Sequence, residues 1–167
     1  VLNGDVPLVR TATLERLVQS SKRGLAICTS ELSSAEGYGR VVRDARKRVR
    51  RIVEQKDATS RERAIREWYA GFLAAPAKRF SAWLAKVKPT NAQEEYYLTD
   101  VIGLAVRDGV NVATVKAEDQ WEVAGVNSRQ ELALLERAYQ NGQATKLLDA
   151  GVTLADLWRI DVRGSLS

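Results

Sequence analysis

A chain of 167 residues, 45% hydrophobic and 28% charged, has the composition of an ordinary globular protein and enough length to bury one core. It contains no His, which excludes Ser-His-Asp and Cys-His mechanisms and the usual zinc sites. Its one cysteine, Cys28, cannot close an internal disulfide and no apolar run reaches membrane-span length, so a reducing cytoplasm is the expected setting.

The opening residues, Val1-Leu2-Asn3-Gly4-Asp5-Val6-Pro7-Leu8, read as the end of an apolar strand that turns at Gly4 and is stopped by Pro7. Asp5 then stands at the carboxyl end of a buried strand, the rim at which open α/β sheets bind ligands. A carboxylate there suits Mg²⁺, a hard cation that keeps several waters and takes one or two protein ligands; the plainer alternative is that Asp5 caps the turn. Thr11 is placed to cap a helix running to about Lys22, with Leu14, Leu17 and Val18 on one face and Gly24 as its stop. Residues 25–29 form a short apolar run of the kind found in buried parallel strands.

After Glu36-Gly37-Tyr38-Gly39-Arg40, the alternating segments 41–42 and 49–53 predict a hairpin across residues 44–47, a turn without the usual Gly or Asn. Seven cations, from Arg40 to Arg51, crowd this region with only Asp44 against them. Such a run either binds phosphates or nucleic acid or is a solvated hairpin face, and the second is commoner. Glu54 follows the hairpin, and Thr59 with Glu62 has the spacing of a capping box. Residues 68–75 predict another buried strand, in which Gly71 marks close approach by a second group. Residues 77–87 predict a helix with Phe80, Trp83, Leu84 and Val87 as its core stripe, stopped by Pro89. A polar aromatic loop, 91–97, precedes a helix over 100–107 capped by Thr99. Residues 112–115 and 121–126 read as strands, with Asn127 just past the second. Ser128 and Glu131 open a long helix carrying Leu132, Leu135, Ala138 and Tyr139 inward, with Leu147 and Leu148 near its end. The pattern is α/β with a small antiparallel insertion, and Asp5, Glu54, the 96–99 loop and Asn127 fall at strand ends or helix starts, as ligand-crevice residues do.

Six segments carry a family likeness: GDVPL at 4–8, GYGRVV at 37–42, IVEQKDAT at 52–59, NAQEEYYLTD at 91–100, EVAGVNSR at 122–129 and AGVTLAD at 150–156. In this order and spacing they resemble the bacterial bifunctional N-acetylglucosamine-1-phosphate uridylyltransferase/glucosamine-1-phosphate acetyltransferases, over nearly the whole chain. The resemblance implies a Rossmann-like nucleotide-sugar transferase sheet, incomplete here. Residues 1–150 would be the sugar-phosphate-binding part, and 151–167 a linker towards a left-handed β-helix domain outside this sequence. It implies formation of UDP-N-acetylglucosamine, a precursor of peptidoglycan and lipopolysaccharide, from UTP and N-acetylglucosamine-1-phosphate.

In that family the residues matching Asp5 and Asn127 hold Mg²⁺. The matches of Gly39, Glu54, Tyr97 and Thr99 contact the sugar phosphate, and that of Gly4 the uridine. The family's glycine-rich nucleotide loop, with its Arg and Lys, has no counterpart in this sequence. Catalytic residues are therefore not assigned, and the chain alone is expected to be inactive and not to form the family's homotrimer. The alternative reading is a basic module that binds RNA or other polyanions and catalyses nothing. Several positions depart from the family. Tyr69 replaces a sugar-binding asparagine, beside Trp68; Glu94 and Lys47 replace glycines; Asn3 stands where some members have tyrosine.

Overall fold

The computed structural model describes residues 1–32 and 35–164. Its central strand, β1 (Leu25–Glu31), is the apolar run anticipated at 25–29, slightly longer. Leu25 and Ile27 enter one core and Ala26 and Cys28 the other, and none of the four is more than 1% exposed, so helices must cover both faces of the sheet. β2 (Arg40–Arg43) and β3 (Val49–Val53) make the hairpin. Its turn works without glycine because Asp44 Oδ1 accepts from the amides of Arg46 and Arg48, each at 2.9 Å, while Lys47 takes a left-handed φ of 60°. β4 (Glu67–Ala74) lies antiparallel to β1, and β5 (Val112–Lys116) parallel to it. The sheet order is β3-β2-β4-β1-β5.

One face carries α3 (Ala77–Leu84) and α4 (Asp100–Arg107), whose Trp83, Val101, Ile102 and Ala105 pack on Leu25, Ile27, Val41, Ile52 and Leu73. The other carries α1 (Thr11–Ser21) and a 3₁₀ turn (Gln120–Val123), where Leu17 and Val123 meet Ala26, Cys28, Trp68 and Phe72. A one-turn helix, α2 (Ser60–Arg63), has the full Thr59–Glu62 capping box. In α5 (Arg129–Asp149), Ser128 Oγ caps the Glu131 amide. The tail folds back along α5, with the Val162 amide 2.7 Å from Gln140 Oε1 and an Arg137–Asp161 ion pair at 2.9 Å.

Several expectations are corrected. Val1 and Leu2 are exposed and form no strand; Val1 only exchanges both backbone hydrogen bonds with Leu73, at 2.8 and 3.1 Å, as one antiparallel pair. Arg10, not Thr11, is the N-cap of α1, and Thr99 does not cap α4 because its hydroxyl is engaged elsewhere. Residues 121–126 are not a strand: Asp119 Oδ1 accepts from the Trp121 amide and winds the segment into the 3₁₀ turn. α3 stops at Leu84, which is exposed, and Leu132, Tyr139 and Leu148 on α5 face outward, while Leu135, Gln140 and Ala144 are its buried positions. The stripe rule failed on α5 because a long helix touched on part of its length has no single apolar face.

These strands leave an opening. β2 meets β4 only at Arg40 and Trp68, the last bond on that edge running from the Tyr69 amide to Gly39 O at 2.8 Å. Val1 takes the same edge again at Leu73. Between them, at Ala70 and Gly71, no described strand covers that edge of β4, while β1 continues along the other.

Candidate functional site

A cavity of about 260 Å³ occupies this opening. Asp5, Gly39, Glu54, Thr99 and Asn127, five of the seven residues selected from sequence, line it. They come from five separate places: the N-terminal turn, the entry to β2, the exit of β3, the start of α4 and the loop after the 3₁₀ turn. Glu54 and Thr99 are joined by a 2.8 Å hydrogen bond from Thr99 Oγ1 to Glu54 Oε1, which ties the end of the hairpin to the helix. The bond leaves the second carboxylate oxygen of Glu54 able to accept from a ligand hydroxyl. Gly39 is the close neighbour of that carboxylate. A β-carbon on it would lie 3.2 Å from both Glu54 oxygens and 2.7 Å from Ile52 Cγ2, so only glycine brings the chain this close.

Asp5 and Asn127 are brought to one side of the cavity by the backbone. The Val126 amide donates to Asp5 O at 2.8 Å, and a β-carbon on Gly125 would sit 3.3 Å from Asp5 Oδ2. The Asn127 amide donates to Glu131 Oε2 at 2.7 Å, and that bond holds the Glu131 carboxyl below its ordinary range. The Asp5 carboxylate and the Asn127 side-chain carboxamide, in contrast, are on exposed residues and make no hydrogen bond to the described residues. Together they offer hard oxygen donors, one charged and one neutral. Among the described residues no group of three or more His, Cys, Asp or Glu gathers as a denser cation cage.

Two selected residues are outside the cavity wall. Gly4 is exposed in the turn before Asp5, with no atom within 4 Å of where its side chain would begin. Tyr97 donates to Gln93 Oε1 at 2.8 Å; desolvation first, then the carboxylates of Asp57, Glu95, Glu54 and Asp100, raises its phenol above the ordinary value.

Asn3, Tyr38, Trp68 and Tyr69 are among the lining residues outside the selected set. Asn3 fills the approach that Gly71, at φ 83°, leaves open, since any β-carbon on Gly71 would collide with the Asn3 amide. The glycine inside the apolar strand was the sequence signal for it. Tyr38 lies over Trp68, ring centroids 4.1 Å apart at 39°. Trp68 Nε1 and Tyr69 Oη are both buried without a hydrogen-bond partner among the described residues. Burial first, and then the nearby charges of Cys28 and Glu54, raises the Tyr69 phenol well above its ordinary value and keeps it protonated.

Of three larger clefts, those of about 670 and 630 Å³, where α1 meets β5 and between residues 7–10 and α5, contain none of the selected residues, and one of about 450 Å³ beside α4 shares only Thr99. Of the seven cations of the basic run, Arg40 and Arg43 are drawn into the fold and the other five are exposed, as on a solvated hairpin face, two of them paired with neighbouring carboxylates. Arg40 is buried and donates to Tyr38 O, Arg43 pairs with Glu67 at 2.6 Å, Arg48 with Asp44 at 2.8 Å and Arg51 with Glu62 at 2.6 Å. The polyanion-binding alternative therefore gains nothing from the structure. Among the described residues no helix is long and apolar enough to cross a membrane.

No model of a known protein family matches the chain. Individual relatives do. The bifunctional protein GlmU of Bordetella parapertussis is 57% identical over 167 residues, which are 100% of this chain and 36% of that protein. GlmU of Dechloromonas aromatica is 52% identical over 167 residues, again 100% of this chain and 37% of the relative. Among solved structures, a glucose-1-phosphate thymidylyltransferase from Bacillus anthracis, in complex with sucrose, superposes with a TM-score of 0.50 at 16% identity, over 88% of this chain and 51% of the other. At that identity the likeness concerns the fold, and it agrees with a Rossmann-like nucleotide-sugar transferase sheet. The chain spans little more than a third of the curated relatives it matches. Over its whole length it is homologous to one part of the bifunctional GlmU proteins.

Proposed function

We propose that the chain is the sugar-phosphate-binding part of a uridylyltransferase that forms UDP-N-acetylglucosamine from UTP and N-acetylglucosamine-1-phosphate. The observation that carries this reading is the convergence of Asp5, Gly39, Glu54, Thr99 and Asn127, far apart in sequence, on one cavity. Glu54 accepts from sugar hydroxyls, with its orientation fixed by Thr99. Gly39 lets the backbone approach the sugar. Asp5 and Asn127 are the residues that would hold a divalent cation. One carboxylate plus one amide oxygen suits Mg²⁺, which retains waters and shares its shell with substrate phosphates. Such an ion supplies charge neutralisation to a phosphoryl transfer, chemistry that needs positioning more than an acid or base and is compatible with a chain lacking His.

Calorimetric titration of the 167-residue chain with N-acetylglucosamine-1-phosphate, with and without Mg²⁺, tests the proposal. Saturable heat is expected, strengthened by Mg²⁺ in the wild type and indifferent to Mg²⁺ in Asp5→Asn. No heat at millimolar ligand overturns the reading.

A further inference from the structure

We infer that a second cleft, beside α4 and apart from the sugar cavity, is a binding site for a compact diphosphate. Its volume is about 450 Å³, and its walls come from β3, from the turn after α3 and from α4. Arg51, Lys86, Lys88 and Arg107 line it, and Asp100 is the one carboxylate among its described lining residues. All four cations are exposed, Arg51 and Lys86 with 50% and 57% of their side chains accessible, so their N–H groups are open to a ligand. Three of the four lie outside the basic run of the hairpin.

The fold answers this charge only in part. Glu62 holds one nitrogen of Arg51 at 2.6 Å and Asp108 stands 3.8 Å from Lys86, while Lys88 and Arg107 have no ion-pair partner among the described residues. Exposed pairs of this kind contribute little and yield to a better-placed anion. A cleft lined mainly by one sign of charge focuses the field and concentrates counter-ions. Burial first, and then Asp57, raise the Asp100 carboxyl, with Arg107 opposing them, so the acid in the wall is also less readily ionised than usual.

Charge and space together set the ligand class. Four cations against one carboxylate leave a surplus of three, whereas one phosphate group brings only about −1.5 to −2 at neutral pH. At about 30 Å³ for each water molecule of the liquid, the cleft also has room for more than one phosphate. Two linked phosphates meet both conditions, and guanidinium and ammonium groups are the donors that phosphate oxygens take best. Gly103 helps to keep the cleft open. Alanine suits a helix interior better, and a β-carbon at 103 would meet nothing nearer than Arg51 Cβ at 3.8 Å, so packing does not demand glycine there.

Calorimetric titration of the 167-residue chain with inorganic pyrophosphate tests the site. A chelator in place of Mg²⁺ keeps the Asp5–Asn127 pair out of the measurement. Saturable heat is expected, with inorganic phosphate binding at least about tenfold more weakly. Lys88→Ala and Arg107→Ala change exposed side chains and should each weaken pyrophosphate about tenfold, as the loss of one charge-assisted hydrogen bond does. Lys78→Ala removes the same charge from α3, outside the cleft, and should change the affinity less than about twofold. UDP separates the sources of the diphosphate: displacement of pyrophosphate by UDP identifies a nucleotide as occupant, and no displacement identifies the free ion. Absence of heat with pyrophosphate, cleft variants that bind as tightly as wild type, or an equal loss in Lys78→Ala overturns the site. Inorganic phosphate that binds as tightly as pyrophosphate overturns the diphosphate assignment. Failure of the sugar-phosphate titration leaves this site standing, since the two cavities share only Thr99.

Discussion

Two buried tryptophans divide the molecule. Trp83, on α3, is 2% exposed and gives its indole N–H to Asp108 at 2.7 Å, closing the lower core against the end of α4. Trp68, on β4, is 4% exposed, and its N–H goes to nothing in the described chain. Burial is alike in the two; hydrogen bonding is not. The satisfied indole belongs to a region whose task is complete once the chain has folded. The unsatisfied one borders the cavity, next to a tyrosine in the same condition.

The comparison can be broken most directly by making the same change at both sites. Trp→Phe removes similar volume from each core, and core truncations of this kind cost about 2 kcal/mol. Trp83→Phe also removes a made hydrogen bond, adding about 1 kcal/mol, while Trp68→Phe removes none. Urea unfolding should place Trp83→Phe about 1 kcal/mol below Trp68→Phe. Equal losses would show that the Trp68 indole is paired in solution, and the contrast would dissolve.

The next effect probes what holds the cavity wall in shape. Gly71 has φ 83°, and Asn3 occupies the space a β-carbon would need. Ala there is strained by its left-handed backbone and must displace Asn3, a loss of about 2 kcal/mol in the same unfolding assay. Because Asn3 and Gly71 both line the cavity, affinity for N-acetylglucosamine-1-phosphate should fall with it. A neutral Gly71→Ala would mean that β4 does not set the wall.

Much of this was legible before any coordinates, and the reasons differ by element. β1, the hairpin and α4 could be read because each meets one environment along its length: two-faced burial, alternation, or a single apolar stripe. Asp5 and Asn127 could be paired only through the family likeness, since nothing local to either foretells that the Val126 amide binds Asp5 O from the far end of the sequence. Thr99 was correctly selected but misread as a cap. A threonine before a helix has two possible acceptor-or-donor uses, and only tertiary structure shows that Glu54 claims it. The 3₁₀ turn over 120–123 looked like a strand because its apolar residues, Trp121 and Val123, alternate; the Asp119 side chain decided otherwise. Unpaired atoms such as Trp68 Nε1 are invisible in sequence altogether, because they are defined by what fails to come near.

Alkaline titration sharpens the contrast by asking how dry the Trp68 core is. Cys28 shares that core, and burial, with Glu122 nearby, pushes its thiol up to about 11. A raised acid pKa means the folded state holds its proton longer than the unfolded state does. The stabilisation is complete below the ordinary thiol value, about 8.5, and is lost as pH rises towards 11. Stability should therefore decline between about pH 8.5 and 11, by at most about 1.4 kcal/mol per pH unit for one group. Cys28→Ala should flatten that limb. A Cys28 thiol that reacts with disulfide reagents at pH 8 in the native protein would show water in the core, and the orphaned indole would then be hydrated.

The smallest expected effect separates strain from unmet hydrogen bonding. Glu94 departs from the family's glycine as Tyr69 departs from its asparagine, yet the two differ physically. Glu94 has φ 55°, with its amide donating to Asn91 O at 3.1 Å, so its backbone sits in the left-handed region that glycine occupies freely. Its side chain is exposed and gains nothing there. Glu94→Gly relieves about 1–2 kcal/mol of left-handed strain and gives back about 0.5–1 kcal/mol through the looser unfolded chain. A net gain of about 0.5 kcal/mol, or one to two degrees in Tm, is expected. Tyr69→Phe and Glu94→Gly should then both leave the free protein at least as stable as before, the first because it removes an unpaired hydroxyl and the second because it relieves strain. A Glu94→Gly variant that melts lower than wild type would mean that the left-handed turn at 94 is held by more than its backbone.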